Sequence, residues 1–174
     1  CRNENLMDLM VARVPVPWKI AISGNRRREL STEANVFLAI DRENAKVMFS
    51  VREPNALCAF LSDYQYVEEQ RLEVADYWQQ VNECLQKIGL ENEQLAMPLS
   101  MAFDGGRPLL NEPPQRVFLV RPDVVGYLGT ILSELKLEEI ECTLDIRSEL
   151  TRLRDFYVLA AKSLQCVIFT TGIL

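Results

Sequence analysis

The chain has 174 residues and a formal net charge of −6, from 19 basic and 25 acidic side chains. With 48% hydrophobic residues it can bury one sizeable core. Disorder over most of the length is excluded, because that requires low hydrophobicity together with high net charge. The acidic balance argues against a dedicated nucleic-acid binder, and the absence of histidine removes His-based nucleophile systems, Cys/His zinc sites and histidine pH switches.

Residues 4–12 carry Leu6, Met7, Leu9 and Met10 at helical spacing and predict a short helix. Pro15 and Pro17 then enforce extended backbone, and 18–22 alternates as a strand with Trp18, Ile20 and Ile22 on one face. Gly24 and Asn25 open a polar loop holding Arg26, Arg27 and Arg28. Residues 35–40 and 46–51 read as an antiparallel hairpin, with 41–44 as its loop. Asn55 suits the N-cap of a short helix with Leu57, Cys58, Phe60 and Leu61 inward.

The longest helix is expected over 67–88, where Leu72, Ala75, Trp78, Val81, Leu85 and Ile88 recur at three- and four-residue steps before a stop at Gly89. Its opposite face would be an acidic stripe of Glu68, Glu69, Glu73, Asp76 and Glu83. Residues 95–103 alternate as a strand, Asp104, Gly105 and Gly106 form a turn, 107–115 reads as an exposed connection, and 116–120 as a strand. Pro122 suits the first turn of a helix running to about Lys136. The alternation of Ile140, Cys142, Leu144 and Ile146 predicts a strand, and Ser148 a cap for a last helix. The β-branched run from Cys166 to Phe169 ends that helix or forms a final strand.

This order predicts a single α+β domain over 1–174, an antiparallel sheet of about five to six strands packed against three to four helices. No stretch approaches the roughly 18–20 apolar residues of a membrane span. The five cysteines are widely spaced without a C-x-x-C pair, and Cys58, Cys84, Cys142 and Cys166 read as buried free thiols, so a reducing, cytoplasmic-type compartment is expected. The leading Cys1 suggests a fragment or module of a larger polypeptide or assembly. A processed lipoprotein acylated at Cys1 is the less favoured reading.

Charge is uneven: residues 1–62 carry nine cations and seven carboxylates, residues 63–174 ten and eighteen. Arg26, Arg27 and Arg28, with Arg42 in the neighbouring loop, form the candidate partner-binding set. Guanidinium groups grip carboxylate or phosphate with two parallel hydrogen bonds. No phosphate loop surrounds residues 104–107, and the adjacent carboxylates Glu68, Glu69, Glu138, Glu139 and Glu141 read as solvated faces. Gly126 and Gly129 inside a helix require a compensating close approach. Trp18, Phe37, Phe49, Phe103 and Phe118 read as inward strand positions, core in preference to a base-stacking platform.

No catalytic residue, cofactor or metal ligand is indicated. The expected function is a non-catalytic protein–protein interaction domain, its partner another protein or another domain of the same polypeptide. Alternatives are an enzyme working through carboxylates or lysines without a motif, and a nucleic-acid or phosphate contact through the arginine loop. The element order also resembles that of small acidic secretion chaperones, which are α+β dimers. That resemblance implies a homodimer holding a partner segment.

Overall fold

In the computed structural model, residues 34–51 and 53–174 are described. The elements run β1 (Asn35–Ile40), α1 (Arg42–Ser50), α2 (Pro54–Asp63), β2 (Arg71–Val74), α3 (Trp78–Glu91), α4 (Glu93–Ser100), β3 (Arg107–Glu112), β4 (Gln115–Val120), α5 (Pro122–Glu134), α6 (Leu144–Lys162) and β5 (Cys166–Thr171). The fold is α+β. Its five strands lie in the order β2-β1-β5-β4-β3, and every neighbouring pair is antiparallel. The expected helix over 4–12, the strand over 18–22 and the loop with Arg26, Arg27 and Arg28 lie outside the described residues.

Helices cover both faces of the sheet, so β1 and β5 are buried along their whole length. Such strands read as continuous apolar runs, as NVFLAI does here. Phe37, Phe118 and Phe169 sit in register on the face packed by α3, α5 and α6. Leu38, Leu119 and Ile168 point to the other face, where Ala45 and Met48 of α1 and Leu57 and Leu61 of α2 cover them.

Six local expectations are corrected. Residues 46–51 belong to helix α1 and do not pair with β1. The alternating Val47 and Phe49 are the more exposed side chains, whereas Ala45 and Met48, three apart, are buried, so the helical period governs. The helix expected over 67–88 is split. Residues Glu68–Gln70 form a 3-10 turn, Leu72 and Val74 pair as edge strand β2, and only α3 is helical, running through Gly89 to Glu91. Its acidic stripe accordingly spreads over several elements, although each carboxylate is exposed.

Residues 95–103 are not a strand. Asn92 caps α4 by accepting from the Gln94 amide, and Phe103 follows in the turn that enters β3. The stretch 107–112, expected as an exposed connection, is the edge strand β3. The alternation of Ile140, Cys142, Leu144 and Ile146 ends in helix, because Thr143 caps α6 by accepting from the Ile146 amide. Thr143, not Ser148, is therefore that helix's cap.

The turn at Asp104, Gly105 and Gly106 is dictated by space. A Cβ on Gly105 would lie 2.2 Å from the Ser100 carbonyl oxygen. At the end of α6, Leu164 takes φ 53° while the Gln165 amide bonds Ala160 O and the Leu164 amide bonds Ala161 O. This paired closure of the helix end turns the chain directly into β5.

Tyr157 is fully buried, and its hydroxyl donates to Ala102 O at 2.6 Å, tying α6 to the α4–β3 connection. Burial pushes its phenol far above the usual range. Tyr157→Phe strands a buried carbonyl without a donor, so unfolding stability should fall by about 1–3 kcal/mol. Urea denaturation would register this as a lower midpoint at unchanged slope.

Candidate functional site

Strands β1 and β4 run in the same direction with β5 antiparallel between them. The chain leaves β1 into α1 on one face and leaves β4 into α5 on the other. Two helix starts on opposite faces thus open a crevice at this end of the sheet. Asp41, at the start of α1, spends no oxygen on capping its own helix. Its Oδ1 instead accepts from Gln165 Nε2 at 3.3 Å, holding the end of β1 against the start of β5.

The crevice encloses about 500 Å³. Ala45, Phe49, Leu119, Pro122 and Cys166 form its apolar floor, Arg42, Lys46 and Arg121 bring cations to it, and Asp123 brings a carboxylate. Arg107, at the start of β3, stacks its guanidinium 4.8 Å from the centre of the Phe49 ring. The cations differ in what they already hold. Arg121 forks onto Asp123, with Nε at 3.1 Å, and this pairing keeps the Asp123 carboxyl below its usual range. Lys46 meets Glu43 at 2.8 Å and lowers that carboxyl likewise. Among the described residues Arg42 and Arg107 have no carboxylate partner.

Cys166 lies in the floor almost completely buried. Burial pushes its thiol up, with Arg42 pulling weakly the other way and Asp123 adding to the rise. A thiol held protonated is a poor nucleophile at neutral pH. Cys58 and Cys84 are raised by burial too, and Cys58, Cys84, Cys142 and Cys166 all stand as free thiols. Among the described residues no group of His, Cys, Asp or Glu side chains stands in a metal-binding cluster. No described helix is long and apolar enough to cross a membrane.

Of the residues expected to bind a partner, Arg42 lines the crevice, at the first turn of a helix and not in a hairpin loop. Arg26, Arg27 and Arg28 lie outside the described residues. Sequence reasoning missed Arg107, Phe49 and Arg121. The signal for Arg121 was present, since it directly precedes the helix-starting Pro122. The strand period places Phe49 inward, but on α1 it is 37% exposed. Glu138, Glu139 and Glu141 are exposed, as expected of solvated faces.

No family model matches the chain. No curated protein matches it either. Among solved structures it is similar in fold to YfbM from Escherichia coli, a protein of unknown function, with a TM-score of 0.57 and 15% identity over 79% of this chain and 99% of that one.

Proposed function

We propose that this chain is a non-catalytic protein-interaction domain, a subunit or module of a larger assembly, and that its partner seats an acidic segment with an apolar anchor in the Arg42 crevice. The observation that carries this reading is the combination of an apolar floor with two guanidinium groups, Arg42 and Arg107, that have no carboxylate partner among the described residues. In a chain of net charge −6 such a cation-lined recess is locally complementary to what the rest of the surface repels. Phe49 offers the aromatic surface on which an apolar anchor can lie, and aromatic and arginine side chains dominate the energetics of protein interfaces.

The test titrates the protein with an acetylated, amidated peptide of glutamates flanking one phenylalanine, against the same peptide with glutamine for glutamate. The acidic peptide should bind and the glutamine peptide should not, with affinity falling as salt rises. Arg42→Glu should weaken binding by about tenfold or more, since a charge-assisted contact of roughly 1.5–3 kcal/mol becomes a repulsion. Melting should be little changed, because Arg42 is exposed. Equal binding of both peptides, or tighter binding of a single-stranded oligonucleotide than of the acidic peptide, sinks the reading.

A further inference from the structure

A second cavity of about 440 Å³ opens at the opposite end of the sheet. Its base is a row of polar side chains on three adjacent strands. Asn35 on β1, Thr171 on β5 and Arg116 on β4 share one face at neighbouring register positions. Trp78 at the start of α3 and the Pro113–Pro114 turn supply apolar walls.

Four observations give this cavity a sign and a size. Asn35 is 9% exposed, and its carboxamide finds no hydrogen-bond partner among the described residues although it lines the cavity. Arg116 is half-buried, and it too has no carboxylate or other side-chain partner among them. Among the described residues no acidic side chain lines the cavity, in a chain where carboxylates outnumber cations. A volume of this size falls in the range of small-molecule sites.

We propose that this cavity binds a carboxylate whose apolar body lies against Trp78 and the two prolines. The guanidinium of Arg116 grips the carboxylate, and Asn35 donates alongside it. The charge count selects the anion. One guanidinium balances one negative charge, whereas a phosphate monoester brings about −1.5 to −2 and would leave part of it buried without a counterion. The carboxylate can belong to a free organic acid or to the C-terminus of a polypeptide. This site is separate from the Arg42 crevice and does not depend on the reading given to it.

The test uses 3-phenylpropanoate, its neutral amide, phenyl phosphate, and a short peptide ending in phenylalanine with a free or an amidated C-terminus. Binding is read by calorimetry and by the shift of the Trp78 indole resonance. The acid should bind about tenfold or more tightly than its amide, and Arg116→Gln should reduce it to the level of the amide. Arg116→Lys should retain part of the affinity, and melting curves establish that both variants fold. Tighter binding of the free-ended peptide assigns the ligand to a chain end, and tighter binding of the free acid assigns it to a small molecule. Equal affinity for acid and amide, no loss in Arg116→Gln, tighter binding of phenyl phosphate, or no binding of any carboxylate at millimolar concentration overturns the proposal.

Discussion

Replacing Phe37 with alanine is expected to remove about 3–5 kcal/mol of stability, a large share of what holds a single domain of this size together. Phe37 is fully buried on the interior strand β1, between β2 and β5. Its ring lies 4.7 Å from that of Phe169 and 5.0 Å from that of Phe103, with Phe156 at 5.9 Å and Tyr157 at 6.1 Å. These neighbours come from β5, the α4–β3 connection and α6, so the vacated space is walled by elements that cannot all move inward together. Such a cavity collapses poorly, which places the cost toward the upper end of its class. Phe37→Leu keeps most of the volume and should lose about half as much.

The same strand provides the control. Leu38 faces the opposite layer, against α1 and α2. Leu38→Ala should therefore also cost about 2–5 kcal/mol in guanidinium denaturation. A loss below about 0.5 kcal/mol would mean that this face of β1 is open to solvent, contrary to a sheet covered on both sides.

The two-sided burial of β1 also explains which parts of the fold were legible in the sequence. Strand β1 and the β4–α5 unit declared themselves, through a continuous apolar run and through a proline at a helix start. The antiparallel sheet and the α+β class followed. The failures fall where two periods fit the same residues. Leu72, Ala75 and Trp78 satisfy a helical step, while Leu72 and Val74 satisfy a strand step, and pairing with β1 decides for the strand. Residues 95–103 alternate, yet Asn92 caps a helix ahead of them. Propensity and pattern are local, and long-range pairing overrides them. The candidate site was half legible for the same reason. A run of arginines is visible in any sequence, but the meeting of Arg42, Phe49 and Arg107 needs α1 and β3 brought to one end of the sheet.

The two glycines of α5 separate a packing requirement from a residue that nothing in the fold demands. A Cβ on Gly129 would lie 3.0 Å from the Ala161 Cβ and 3.1 Å from the Tyr157 carbonyl oxygen, so α5 and α6 approach closely because this position has no side chain. A Cβ on Gly126, one turn away, would meet nothing within 4 Å. Gly129→Val should push the two helices apart and cost about 3 kcal/mol or more, since the branched carbons collide with backbone that cannot turn aside. Gly126→Ala should instead raise stability by about 1 kcal/mol, the helix propensity that glycine forgoes. Thermal melts of the two variants should therefore move in opposite directions from the parent. If Gly126→Ala destabilises, an additional body must press on that face of α5 beside the exposed Tyr127, and the proposed interaction surface would have to extend there.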